Sequence, residues 1–134
     1  MFVHQLLTVE PGRALEYLDA VVALQVPLWR EHGHEPTGIY EVLGNQHEVV
    51  VVWATSIEAQ ARLRASRDAA LGFDVGVAGD DRLIGWERQA ATWVTGGDTH
   101  LMTPMPGTVY GPDDWDEASL DDWLHPERSE PERS

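Results

Sequence analysis

The chain has no cysteine, which removes disulfides, thiolate metal sites and thiol nucleophiles and permits a reducing compartment. It has no lysine either; all nine basic residues are arginine. Schiff-base chemistry on a lysine amine is therefore excluded. Positive charge is scarce altogether: 23 Asp and Glu outweigh the arginines and leave a formal net charge of -14. So anionic a surface repels phosphate backbones and anionic headgroups, so neither nucleic acid nor a membrane is a natural partner. Apolar runs are short as well, since His4, Gln5 and Glu10 interrupt the first segment. That pattern fits neither a membrane span nor a signal peptide and points to a cytoplasmic protein. With 134 residues, one domain can bury a core without covalent or metal staples.

What is present is organised around residues 38–55. Gly38-Ile39-Tyr40-Glu41-Val42-Leu43 meets Gln46-His47-Glu48-Val49-Val50-Val51-Val52-Trp53-Ala54-Thr55 at a Gly44-Asn45 corner, the signature of a β-hairpin with a two-residue turn. Four consecutive valines before a tryptophan predict a central strand, covered on both faces. A two-residue turn pairs Leu43 with Gln46, Val42 with His47 and Tyr40 with Val49. One face then carries Tyr40, Val42, His47, Val49, Val51 and Trp53. The other carries Ile39, Glu41, Leu43, Glu48, Val50 and Val52.

On either side of this hairpin the chain alternates strand and helix. Phe2–Val9 is β-rich and stops at Glu10-Pro11-Gly12. From Arg13 a helical pattern runs through Leu15, Leu18, Val21, Val22, Val26, Leu28 and Trp29, with Pro27 predicted to kink it and Gly33 to end it. Thr55 and Glu58 have capping-box spacing and open a second helix to about Leu71. Residues 72–79 are a glycine-rich loop. Asp80 or Asp81 caps a third helix carrying Leu83, Ile84, Trp86, Ala90, Trp93 and Val94, which Gly96-Gly97 ends. Thr99–Met105 forms the last strand. Beyond Tyr110 the composition shifts: residues 111–134 hold nine acids and two arginines, half of the total net charge. In this acidic tail Asp116–Leu124 suits one short helix, Trp115 and Trp123 invite docking on the body or a partner, and the repeated Pro-Glu-Arg-Ser end reads as disordered.

Strand–helix–strand–strand–helix–(helix)–strand is the order of an α+β, ferredoxin-like βαββαβ sandwich with an extra helix before the last strand, spanning residues 1–110. Its sheet order, 4-1-3-2, sets the Val49–Trp53 strand beside Phe2–Val9. Taken as parallel, those strands bring His4 and His47 together and leave His100 at the opposite end. Helices cover one sheet face; a second copy of the sheet is the simplest cover for the other, which predicts a homodimer.

Several short motifs resemble NIPSNAP-like proteins: Thr8-Val9-Glu10-Pro11-Gly12-Arg13 before a long helix, Pro27-Leu28-Trp29-Arg30-Glu31-His32-Gly33, Gly38-Ile39-Tyr40, Asn45-Gln46 leading to Val51-Val52-Trp53 and Thr55-Ser56, and Leu101-Met102-Thr103-Pro104. The resemblance covers residues 2–110 and implies a dimeric α/β barrel. Related barrels include cofactor-free monooxygenases, polyketide cyclases, lactone isomerases and haem-degrading enzymes. Val3, Gln5 and Leu7 depart from the family at the first strand, where a charged or tyrosine side chain is usual.

The chemistry-bearing candidates are few. His47 and His4 are imidazoles able to take a proton from an activated phenol or carbon acid, and Tyr40 can donate to a substrate oxygen. As a bland alternative, both histidines are solvated strand ends and Tyr40 packs by its ring. Trp53, Trp29 and Val51 are candidates to wall a pocket for a flat apolar ligand, or else are core. Arg67, one turn from Arg64, can hold a carboxylate or simply pair with nearby acids. His32-Gly33-His34 has no third ligand near it in sequence, so no metal is assigned. The leading expectation is a cofactor-independent monooxygenase, cyclase or isomerase acting on a small apolar or aromatic metabolite in a pocket between sheet and helices. The alternative is a non-catalytic dimeric module that binds a metabolite or haem, with His4, His47 and His100 as candidate haem ligands, or recruits a protein partner through its tail.

Overall fold

The structure, a computed structural model, describes residues 1–108. Met1–Met102 form one compact unit. The elements below all belong to it. The acidic tail, its helix at Asp116–Leu124, Trp115 and Trp123 lie outside the described residues.

Strand β1 (Phe2–Val9) leads to helix α1 (Ala14–Ala20), a π turn (Val21–Gln25) and helix α2 (Val26–Glu31). Strands β2 (Glu35–Glu41) and β3 (Glu48–Ala54) form the hairpin. Helices α3 (Ile57–Ala70) and α4 (Asp81–Ala90) precede strand β4 (Val94–Met102). The sheet order is β2-β3-β1-β4, the expected ferredoxin-like order. Among the described residues no helix is long and apolar enough to cross a membrane.

Several expectations need correction. β1 and β3 are antiparallel, not parallel, with Phe2 opposite Ala54 and Thr8 opposite Glu48. The reason is connectivity: the helical crossover returns the chain so that β2 runs with β1, and the hairpin then reverses β3 before it inserts between them. The hairpin register is also displaced by one residue, with Tyr40 opposite Val50 and Glu41 opposite Val49. Its corner is wider than two residues. Asn45 N–H closes a turn on the Val42 carbonyl with Gly44 at φ 77°, and the Asn45 side chain bonds both the His47 amide and the Glu48 carboxylate. A one-residue displacement transfers every β2 side chain to the opposite face. Finally, Gly96-Gly97 does not end α4 but lies inside β4. Gly97, at φ 137°, passes so close to β1 that a Cβ there would meet the Leu6 carbonyl oxygen at 2.4 Å. Only glycine fits that crossing.

Pro27 sits in the first turn of α2, and the helix changes to a π turn just ahead of it. The Val26 amide reaches back five residues to Val21, widening one turn ahead of the proline. A widened turn moves the backbone off the proline ring, which otherwise crowds the carbonyl four residues earlier. Ser56, not Thr55, caps α3 by accepting the Ala59 amide at 3.0 Å. Asp80 caps α4 through the Arg82 amide, as expected.

The core lies between one sheet face and the helices. On β1 and β3 alternate residues Val3, Val49, Val51 and Trp53 are fully buried there, facing Tyr17, Leu18, Val21, Val26, Leu28, Leu63, Leu83, Trp86 and Trp93. Tyr17 packs with ring centroids 6.1 Å from Trp86 and 5.9 Å from Trp93, and burial pushes its phenol up to about 12. Strand alternation sends Phe2, His4, Leu6, Val50 and Val52 to the opposite face, where they are only partly covered.

Candidate functional site

The expected grouping of His4, His47, Tyr40 and Trp53 is not assembled within one protomer. His47 is exposed at the hairpin corner, its carbonyl accepting from the Val9 amide. His4 pairs with Val52, five residues along β3 from His47, so about 17 Å of strand separates them at ~3.3 Å per residue. Tyr40 shares the open face with His4, whereas Trp53 is on the helix side. His100, expected at the far end, is directly opposite His4 on β4. Arg67 bridges α3 to α4 through Glu87 and also pairs with Asp68.

The pocket-wall candidates Trp29, Trp53 and Val51 do share the helix side. The Trp29 and Trp53 rings lie 4.7 Å apart, and Trp53 Nε1–H donates to Gln5 Oε1 at 2.9 Å. Sequence reasoning weighed His34 only as a metal ligand and missed its burial, at 1% exposed. Its ring meets Trp29 edge to face at 5.2 Å; Nδ1 lies 3.0 Å from the His32 carbonyl and Nε2 2.7 Å from the Gln60 amide. Gln25 was missed too. It is buried in the π turn, and its amide oxygen has no partner within the described residues. Apart from it, only the Trp93 Nε1–H is buried without a partner among the described residues, so a ligand entering between sheet and helices must break packing and bonds already made.

His32 and His34 diverge instead of chelating. Gly33, at φ 80° against the Ala59 Cβ, turns the chain so that His34 drops inward while His32 reaches α4. His32 Nε2 lies 2.9 Å from Asp80 Oδ2, with both side chains about 85% buried (15% and 16% exposed). Arg82 binds Asp80 at 2.8 Å and Glu31 at 2.8 Å. The Arg82 guanidinium, the His32 ring and the α4 amide hold the Asp80 carboxyl well below the usual carboxylate range; the carboxylates in turn raise Arg82. Imidazole beside an ionised, oriented carboxylate is the arrangement of a general base. Here the same bonds also tie the end of α2 to the start of α4.

The open sheet face offers the least committed groups. His100, His4, Val52 and Gly38 form one row across β4, β1, β3 and β2. The Tyr40 ring folds back over Gly38, its hydroxyl 2.4 Å from where a Gly38 Cβ would sit. The row thus runs from two imidazoles over an apolar floor to a phenol. Among the described residues no three His, Asp or Glu side chains converge as a metal site.

No protein-family model matches the chain. No curated protein matches it in sequence either. Solved structures match over most of its length. A NIPSNAP family protein of unknown function from Agrobacterium tumefaciens superposes with TM-score 0.63 at 19% identity, covering 81% of this chain and 91% of that one. An uncharacterised NIPSNAP domain protein from Burkholderia xenovorans gives 0.60 at 16% identity, covering 84% and 100%. A second Agrobacterium NIPSNAP family protein gives 0.56 at 17% identity, covering 84% and 97%. The α+β fold of this chain is that of NIPSNAP-family proteins.

Proposed function

We propose that the chain is a NIPSNAP-like cytoplasmic homodimer, closed sheet to sheet as a dimeric α/β barrel, that acts on a small apolar or aromatic metabolite without a cofactor. His4 is the general base and the Tyr40 hydroxyl the donor to a substrate oxygen. One observation carries the proposal: the face that the helices leave open places His4, His100 and Tyr40 on one row over Val52, with Phe2, Leu6 and Val50 around it. A second copy over this face would bury its apolar floor and exclude water, and proton transfer between fixed groups is the step that oxygenase, cyclase and isomerase chemistry share. His47 stands outside this set.

The test has two arms. Light scattering after size exclusion should give a dimer for the wild type and a monomer with unchanged circular dichroism for Val52→Glu, because that residue meets only the open face. A panel of phenols and small carbon acids, screened by thermal shift and then by mass-spectrometric turnover, should yield a substrate whose turnover drops about 100-fold or more in His4→Ala. A monomeric wild type, or full turnover in His4→Ala, overturns the proposal. A non-catalytic module is a second reading, favoured by the way Tyr40 lies flat on Gly38 as a paving residue would; it predicts saturable binding without turnover.

A further inference from the structure

His4 on β1 and His100 on β4 are directly opposed partners of an antiparallel pair. Both side chains leave the sheet on its open face, where cross-strand Cβ atoms stand about 5 Å apart. Among the six histidines of the chain, these two are the neighbours whose rings carry no hydrogen bond or ion pair among the described residues. His34 uses both ring nitrogens, and His32 is held by Asp80. His47 lies at the hairpin corner, about 17 Å along the strand.

Two imidazole nitrogens bound to one metal ion at about 2 Å each are roughly 3–4 Å apart. Rings rooted about 5 Å apart reach that separation by side-chain rotation, with no movement of the backbone. A third donor lies on the same face. Met102 is two residues beyond His100 on β4 and opposite Phe2, hence diagonal to His4 and within reach of a long side chain. Its thioether arm is flexible and 38% exposed. Asp98 holds the matching place on the other side of His100, yet no carboxylate converges with the two imidazoles among the described residues. Two imidazoles and a thioether make a neutral, soft donor set, which favours Cu(I) and disfavours the hard cations that need oxygen ligands. With no cysteine in the chain, no thiolate within it competes for a soft ion. A net charge of -14 draws cations to the surface.

From these features we infer that His4, His100 and Met102 form a site for one Cu(I) ion on the open sheet face. The site is built within one protomer and rests on the pairing of β1 with β4, not on the proposed reaction. It shares His4 with that reaction, and there copper is an inhibitor: it takes the nitrogen lone pair that a general base must keep free.

Anaerobic titration of the full chain with Cu(I), in competition with the chromophoric chelator bicinchoninate, tests this. One ion per chain is expected, and Zn(II), followed by isothermal titration, should bind at least tenfold more weakly. His4→Ala and His100→Ala should each weaken Cu(I) at least tenfold. Met102→Leu, which keeps the volume of the side chain, should weaken Cu(I) several-fold and leave Zn(II) unchanged. His47→Ala should match the wild type. All four residues are partly or fully exposed, so circular dichroism should be the same throughout. X-ray absorption of the wild-type complex, which needs no variant, should show sulfur beside nitrogen around the ion. Absence of stoichiometric Cu(I) binding, wild-type affinity in either His4→Ala or His100→Ala, or an equal loss in His47→Ala overturns the site. Stoichiometric copper supports it even where no substrate is turned over, and turnover without copper binding overturns the site alone.

Discussion

Replacing Asp80 by alanine removes three things at once, and the structure allows each to be weighed. Its side chain caps α4 through the Arg82 amide at 3.1 Å, and losing such a cap costs about 1 kcal/mol. The bond to His32 at 2.9 Å is mostly shielded from solvent; a hydrogen bond involving an ionised group is worth about 1.5 kcal/mol. The pair with Arg82 is more exposed on the arginine side, at 59%, and adds at most about 0.5 kcal/mol after solvent screening. Together Asp80→Ala should cost about 2–3 kcal/mol, a fall in Tm of roughly 8–12 °C for a domain of this size. Asp80→Asn keeps the capping oxygen and loses the charge, so it should show about half the loss. The sign with pH follows from the direction of the shift. The folded-state carboxyl is depressed below its model value of 3.8, so its contribution is complete above that value and is lost as pH falls below it toward the folded-state value. The difference between wild type and Asp80→Asn in urea unfolding should therefore be constant from pH 7 to about 5 and shrink below about 4. An Asp80→Ala protein within about 0.5 kcal/mol of wild type would refute the clamp. So would an Asp80→Asn protein as unstable as Asp80→Ala, because the cap would then count for nothing.

Two further substitutions test the core and the sheet. Trp53→Phe should cost about 2–4 kcal/mol in urea unfolding, since it leaves Gln5 Oε1 without its donor and opens space beside Trp29; a loss below about 1 kcal/mol would place Trp53 in a looser environment than its complete burial indicates. Gly97→Ala forces a Cβ against the Leu6 carbonyl and an unfavourable φ, so β4 should separate from β1 locally. Hydrogen exchange at the β1 amides facing β4 should accelerate while those facing β3 stay protected, and unchanged exchange at both would contradict the close crossing.

What was legible in the sequence was what local pattern controls. Phe2–Val9 reads as a strand from end to end because its β-prone run is bounded by Pro11-Gly12. The α3 and α4 starts are marked by side chains that cap within three residues. Most misreadings involve a partner distant in sequence; the hairpin register is the exception. Gly96-Gly97 has the form of a helix stop, yet Gly97 is there for β1, some 90 residues earlier in the chain. The hairpin register turned on Asn45, whose side chain reaches both His47 and Glu48 and widens a corner that two residues alone would close tightly. His32 meets Asp80 across 48 positions and His34 meets Gln60 across 26; neither pair leaves a local trace. The His4–His47 grouping came from one wrong strand direction.

The two faces of the sheet differ in how much of their polar chemistry is already used. On the helix side Trp53 is bonded to Gln5 and His34 to the His32 carbonyl and the Gln60 amide, and among the described residues only Gln25 and Trp93 have a buried side-chain polar atom without a partner. Chemistry there would first have to break packing and hydrogen bonds that hold the core, which costs stability with each turnover. On the open side His4, His100 and Tyr40 are held by strand register and not by bonds to one another, so they are free to serve a substrate, but water reaches them until something covers the face. In the proposed function closure and catalysis are therefore the same event. Specific activity should fall on dilution in parallel with the dimer. Turnover that persists undiminished once the protein is fully monomeric would move the chemistry off the open face.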